Sequence, residues 1–244
     1  MRLFGLIGYP LSHSFSKKYF TEKFGKEALP DCRYENFPIQ SIDELPTLLK
    51  LHPDLEGLNV TIPYKEQVLP FLDEKNSIVE EINACNCITI SNGKLKGYNT
   101  DVTGFELSLQ PKLQPWHKRA LILGTGGASK AVEYVLEKKG ISYRHISRMP
   151  GKDRITYDKL TPLSMVENTL IINTTPVGMY PGVNEAPPIP FEGLNESHYL
   201  FDLVYNPEKT LFLQKGEEKG AAIKNGQDML IIQAEESWKI WNQK

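Results

Sequence analysis

"LILGTGGASKAV", residues 121–132, joins an apolar strand, a glycine turn and the start of a helix. Gly124, Gly126 and Gly127 let the backbone turn sharply and approach a pyrophosphate closely. The N–H groups that open the following helix, Ala128 among them, then meet the phosphate charge. Ser129 stands where a third glycine or alanine is usual in this pattern, and it is small enough for close helix packing. No Gly-Lys-Ser/Thr follows, so the stretch is not a P-loop. In isolation a ligand-free strand-to-helix turn would read the same. The context favours a nucleotide, because a strand precedes, a helix follows and a second strand arrives at the expected distance.

That second strand, "YRHISR" (143–148), selects the nucleotide. A site for NAD wants an Asp or Glu about 20 residues after the first glycine, to hold the ribose 2′-hydroxyl. From Lys138 to Lys152 there is no acidic residue. Ser147 and Arg148 close the strand, with Lys152 nearby. A hydroxyl and a guanidinium suit a 2′-phosphate, which a carboxylate would repel. The expected cofactor is NADP(H), although a surface arginine is most often simply solvated.

The rest of the chain alternates strand-like and helix-like segments. Ahead of the glycine turn, strands are expected at 2–9, 33–39 and 57–62 and helices at 16–25, capped by Ser16, and 42–51, with Pro63 opening a further helix. Asn92-Gly93 between "NCITIS" and "KLKGYN" is a hairpin signal. A connecting helix over 101–110 leads through the loose "PKLQPWHKR" into the second half. There a helix follows at 129–139, then strands at 143–148, 169–175 and 198–205 and a last helix at 227–241. Such alternation predicts parallel sheets covered by helices.

Composition narrows the class. The chain has 244 residues, 40% apolar and 24% charged, with a formal net charge of −2. That suits a globular protein and gives no footprint for nucleic acid or an anionic membrane surface. The apolar run in "MRLFGLIGYP" is too short for a secretory signal, and no stretch reaches the ~20 apolar residues of a membrane helix. Cys32, Cys85 and Cys87 are odd in number and lack a His at zinc-ligand spacing, so neither a disulfide framework nor a metal site is expected. A reducing cytoplasm is the expected compartment.

Several front-half residues look ordinary alone. Lys65 in "NVTIPYKE" reads as a solvated helix lysine, and Asp101 in "GYNTD", Ser14 and Ser16 read as caps. Together, and in order, "GYPLSHSFS", "NVTIPYKE", "NACNCI", "GYNTD", "LGTGGASKA", "INTTPVGM", "FDLVYNPEKTLFL" and "NGQDMLIIQAEESWKIW" resemble the shikimate dehydrogenase family over nearly the whole chain. The resemblance implies an α/β protein of two parts. Residues 1–101 would form a mixed or parallel substrate-binding and catalytic domain, to which the helix 227–244 returns. Residues 102–226 would form a doubly wound, Rossmann-type NADP-binding domain.

It implies Lys65 and Asp101 as the catalytic pair. Ser14 and Ser16 would hold a substrate carboxylate; Thr61, Asn86 and Gln233 would meet ring hydroxyls, with Tyr205 also lining the site. Ser147 and Arg148 would take the 2′-phosphate, and Leu203, Gly226 and Met229 would lie near the nicotinamide. The implied activity is reversible reduction of 3-dehydroshikimate to shikimate by a monomer or homodimer without metal. The chain departs from the family pattern at Lys17, Phe20 and Thr21, where proline and a His-Asn pair are usual, at Asn83 to Cys87, and at Ser147 to Met149. Competing readings are a quinate/shikimate dehydrogenase, a non-catalytic NADP sensor, and a domain whose glycines only make turns.

Overall fold

The protein is described by a computed structural model over residues 1–11 and 14–243. Ser12 and His13, inside the "GYPLSHSFS" stretch, and Lys244 lie outside the described residues. The chain divides into two compact units, residues 1–100 with 234–244, and residues 101–233.

The first unit runs β1 (Arg2–Gly8), α1 (Phe15–Lys26), β2 (Cys32–Pro38), α2 (Leu45–Leu51), β3 (Leu55–Val60), α3 (Tyr64–Gln67), β4 (Glu74–Lys75), α4 (Ser77–Ile82), β5 (Cys87–Ser91) and β6 (Lys94–Tyr98). Among the described residues these strands form one sheet in the order β2-β1-β3-β5-β6-β4. Strands β2, β1 and β3 are parallel, whereas β5 runs antiparallel to both β3 and β6. The antiparallel step follows from Asn92 and Gly93, which both take positive φ (51° and 74°), as a tight hairpin turn requires.

Beyond Arg2, strand β1 is apolar because both its faces are covered. Leu3 and Ile7 join one core with Leu45, Leu58, Val60 and Tyr64. Phe4 and Leu6 point the other way, into an aromatic core with Phe20, Phe24, Tyr34 and Trp241. Trp241 reaches into this core from the far end of the chain. Its ring stacks on Phe4 at 4.8 Å, and its indole N–H donates to the Ile88 carbonyl at 3.0 Å. It lies so close to β3 that a Cβ on Gly57 would stand 2.3 Å from its Nε1.

Two local expectations are corrected. Helix α1 begins one residue earlier than expected, with Ser14 in the N-cap position and no side-chain cap bond. The segment 42–51 is split into a 3₁₀ turn, Ile42–Glu44, capped reciprocally by Ser41 and Glu44, and helix α2. Pro46 sits in the first turn of α2, where its missing N–H is tolerated.

The second unit runs α5 (Asp101–Leu109), β7 (Arg119–Leu123), α6 (Gly127–Lys138), β8 (Ser142–Ser147), β9 (Arg154–Thr156), α7 (Pro162–Glu167), β10 (Leu170–Asn173), β11 (Tyr199–Asp202), α8 (Leu211–Glu217), β12 (Ala222–Lys224) and α9 (Gln227–Trp241), whose last residues belong to the first unit. Among the described residues the strands form an all-parallel sheet in the order β12-β11-β10-β7-β8-β9. The order reverses between β7 and β10, which is the doubly wound arrangement, and ligands of such sheets bind beyond the strand ends at that reversal. Both the glycine turn after β7 and the Thr174-Thr175 segment after β10 lie there.

A buried carboxylate ties the neighbouring strand ends together. Asp202, at the end of β11, is fully buried. One of its oxygens accepts from Asn173 Nδ2 at 2.9 Å and from the Val204 N–H at 3.0 Å; the other accepts from the Thr210 hydroxyl at 2.6 Å. Burial outweighs these three donors and pushes its pKa up to about 6. Among the described residues no helix is long and apolar enough to cross a membrane, and no group of three or more His, Cys, Asp or Glu is arranged to hold a metal.

Two stability effects are expected. Gly57→Ala should force the Trp241 ring off β3 and lower the unfolding free energy by roughly 1–3 kcal/mol, measured by urea denaturation; an unchanged midpoint would show that the ring is free to move. For Asp202, the folded carboxyl keeps its proton up to about pH 6, whereas the unfolded one keeps it only to about 3.9. Its stabilising contribution is therefore complete below the unfolded value and is lost as pH rises to about 6. Asp202→Asn should remove this dependence, so that between pH 4 and 6 the variant gains on the wild type by at most ~3 kcal/mol; parallel pH profiles would contradict it.

Candidate functional site

The polar residues singled out by sequence fall in both units. Ser14, Ser16, Thr61, Lys65 and Asn86 belong to the first unit, and Asp101, Tyr205 and Gln233 to the second.

In the first unit, Thr61 continues the β1–β3 pairing by one residue, its N–H donating to the Ile7 carbonyl at 2.9 Å. The chain then turns into α3, pinned by the buried Tyr64, whose hydroxyl donates to the Ile39 carbonyl at 2.7 Å. Lys65 follows, half-buried, and its carbonyl accepts the Cys85 N–H at 2.8 Å. Residues 84–86 therefore hold the backbone of the lysine turn. They also hold the chain just before Asp101: the Asn99 side chain donates to the Ala84 carbonyl at 2.9 Å, and the Thr100 N–H donates to Asn86 Oδ1 at 2.6 Å.

Asn86 is buried and gives one amide N–H to the Thr100 hydroxyl at 3.0 Å. Thr100 lies 3.3 Å from the Ser237 hydroxyl, which accepts from Asn59 Nδ2 at 2.9 Å. Asn59 Oδ1 in turn accepts from the Tyr34 hydroxyl at 2.9 Å. A buried polar chain thus links Tyr34 to Asn86. Ser14 behaves differently: its hydroxyl is buried without a hydrogen-bond partner among the described residues.

In the second unit, Asp101 is buried and opens α5. Gln233 is buried on α9 and donates to the Leu230 carbonyl at 3.0 Å. Gly104 lets α5 and α9 approach, since a Cβ there would lie 2.8 Å from the Met229 carbonyl oxygen. Leu203 to Tyr205 leave the end of β11, with the Leu203 N–H donating to the Asn173 carbonyl at 2.9 Å. Gly226 crosses this segment so tightly that any Cβ would fall 2.1 Å from the Leu203 carbonyl oxygen. Tyr205 is half-buried, and that burial raises its phenol pKa.

The glycine turn fits a dinucleotide pyrophosphate. Gly124 has φ +113°, and a side chain there would also meet Thr174 Oγ1 at 2.7 Å. In front of Gly126 there is open space within 4 Å, and no side chain caps the N-terminus of α6. The Ser129 N–H is taken by the Gly126 carbonyl, and the Gly127 and Ala128 N–H groups are those that would meet a ligand. Strand β8 lies beside β7 and ends in Ser147, whose hydroxyl accepts the Met149 N–H at 3.3 Å, leaving Arg148 exposed at the strand end. These residues would hold NADP(H): glycine-turn amides for the pyrophosphate, Ser147 and Arg148 for the 2′-phosphate.

Sequence reading misses Asn59 and Asp202. Each interrupts an apolar run, "GLNV" and "YLFDLV", and a polar residue inside a buried strand is the available signal.

Residues 6–88 match the family model described as "Shikimate dehydrogenase substrate binding domain". A relative from Carboxydothermus hydrogenoformans named "Shikimate dehydrogenase (NADP(+))" is 38% identical, with 98% of this chain and 91% of that protein covered. The crystal structure of shikimate dehydrogenase from Aquifex aeolicus superposes with a TM-score of 0.88 at 32% identity, covering 99% of this chain and 92% of that one. The Thermus thermophilus shikimate 5-dehydrogenase in complex with NADP(H) and shikimate has a TM-score of 0.87 at 29% identity, covering 99% and 94%. The chain belongs to the shikimate dehydrogenase family.

Proposed function

We propose that this protein catalyses the reversible, NADP(H)-dependent reduction of 3-dehydroshikimate to shikimate, with Lys65 and Asp101 as the catalytic pair. Near-full-length likeness to relatives named for that activity carries the reading, and the glycine turn followed by Ser147-Arg148 supports it. In this reading residues 1–101, with the returning helix 227–244, bind substrate, and residues 102–226 bind the dinucleotide. We also read the protein as a cytoplasmic monomer or homodimer acting on a small molecule.

NADPH, when bound, supplies the hydride. As the substrate ketone becomes an alkoxide, the Lys65 ammonium stabilises the growing negative charge and gives the oxygen its proton. In the oxidative direction the amine takes that proton back. Asp101 orients the ammonium and accepts a hydrogen bond from a ring hydroxyl. Ser14 and Ser16 hold the carboxylate. Thr61, Asn86, Gln233 and Tyr205 meet the remaining polar edge, and Leu203, Gly226 and Met229 line the nicotinamide. A site that satisfies hydroxyl groups in this way discriminates strongly against analogues that lack them, because its own buried polar groups would be left unpaired.

The direct test mixes purified protein, NADP⁺ and shikimate and follows reduced nicotinamide by its near-ultraviolet absorbance, with quinate in a parallel cuvette. Reduction with shikimate is expected; equal or faster reduction with quinate would reassign the substrate. Lys65→Ala should lower kcat by ~10²–10⁴ with little change in melting temperature, and wild-type turnover would remove Lys65 from the mechanism. Arg148→Ala should raise the Kd for NADPH roughly tenfold or more and leave that for NADH nearly unchanged; equal losses for both would show that Arg148 does not contact the 2′-phosphate.

A further inference from the structure

We propose that His145, acting through Glu133 and Ser129, is a positioning residue that orients the phosphate-binding amides of the glycine turn and makes dinucleotide affinity depend on pH. The inference rests on the reading of that turn as an NADP(H) site.

The evidence is a closed set of contacts around the turn. His145 on β8 directs Nδ1 to the Gly124 carbonyl oxygen at 3.0 Å and Nε2 to Glu133 Oε1 at 3.2 Å. The same Glu133 oxygen accepts the Ser129 hydroxyl at 2.9 Å, and that hydroxyl also lies 2.9 Å from the Gly126 carbonyl oxygen. The Ser129 N–H donates to the same carbonyl at 2.8 Å. Both flanking glycine carbonyls are thereby held. In a trans peptide the N–H points opposite to the C=O. Fixing the Gly124 carbonyl toward His145 therefore aims the Thr125 N–H away from it. Fixing the Gly126 carbonyl toward Ser129 likewise aims the Gly127 N–H outward from the helix start, where an anion is received. Ser129, the residue that replaces the usual third glycine or alanine, is thus one half of the clamp.

The ring must carry two protons to make both bonds. A carbonyl oxygen and a carboxylate oxygen are acceptors only, so each nitrogen facing them has to donate. A neutral imidazole can satisfy one and presents a lone pair to the other. The bond to Glu133 is the main cause that raises the imidazole pKa; burial opposes it and the Gly124 carbonyl adds to it. Burial opposes ionisation of Glu133, but its bonds to His145 and Ser129 hold its pKa below the ordinary value. Other charged or titratable groups around the pair are Arg154, the register partner on β9, which disfavours the imidazolium, and Lys130 on α6, which adds a small attraction for the Glu133 carboxylate. Tyr143 meets the His145 ring edge-on at 5.6 Å, and its hydroxyl is engaged by Glu137. As pH rises through the raised His145 value, the clamp opens and the amides lose their fixed aim.

The test is equilibrium binding of NADPH by calorimetry from pH 6.5 to 9, with ligand-free NMR of the His145 ring and the Gly127 amide over the same range. Wild-type Kd should rise roughly five- to tenfold as the ring deprotonates, and the Gly127 amide should shift with the same midpoint. His145→Leu should bind weakly at every pH, without that step. Glu133→Gln, which keeps the side-chain size, should move the ring's midpoint down and the binding step with it. Binding by His145→Leu with the wild-type Kd and the wild-type pH profile would overturn the proposal alone. Failure of the wild type to bind NADPH at any pH would overturn the cofactor reading, and this proposal with it.

Discussion

The first unit depends on a single line of buried polar groups satisfying one another. Tyr34, Asn59, Ser237, Thr100 and Asn86 come from five separate segments, yet each finds its partner in the next. A buried polar group without a partner costs ~1–3 kcal/mol, so the line acts as a specificity constraint. Strands β2 and β3, the residues before Asp101 and the end of α9 are held in the arrangement that closes it. The surrounding aromatic core contributes most of the burial free energy but tolerates more than one packing; hydrogen-bond geometry does not. Of the residues proposed to meet substrate, Asn86 ends this line and Thr61 lies on the short turn that carries Lys65.

The second unit solves a different problem with the same economy. An all-parallel sheet leaves its carboxyl strand ends unpaired at the order reversal, and every group there has to be satisfied or offered to a ligand. Asp202 absorbs donors from Asn173, Val204 and Thr210 and so fixes the ends of β10 and β11. The glycine turn does the reverse. Its carbonyls are taken by His145 and Ser129, and its amides face outward. One side of the reversal is closed by a buried acid and the other is kept open by a histidine clamp.

Much of this was legible before the structure. The glycine turn, the Asn92-Gly93 hairpin and the apolar strand β1 announce themselves because glycine conformation, turn chemistry and two-sided burial are local properties. The family resemblance extends that to the whole chain. Strands β9 and β12 are three residues each and lie at sheet edges, too short for any period to register. The start of α1 differs from the expectation because Ser14, not Ser16, stands at the N-cap, and its side chain makes no cap bond. Asn59 and His145 were not recognised because their partners are 178 and 12 residues away, at Ser237 and Glu133. No spacing rule connects them; only the folded chain does.

Trp241 and Ala234 fill the aromatic core built on Phe4, yet the entire second unit is threaded between them and the rest of their own unit. On a ribosome the first sheet would emerge with that hollow unfilled and would wait for more than a hundred further residues before its plug arrived. Closing so long a loop is slow relative to local folding. The nascent front half must therefore remain loosely packed, with apolar surface exposed and open to chaperones, until translation has delivered the tryptophan that seals it.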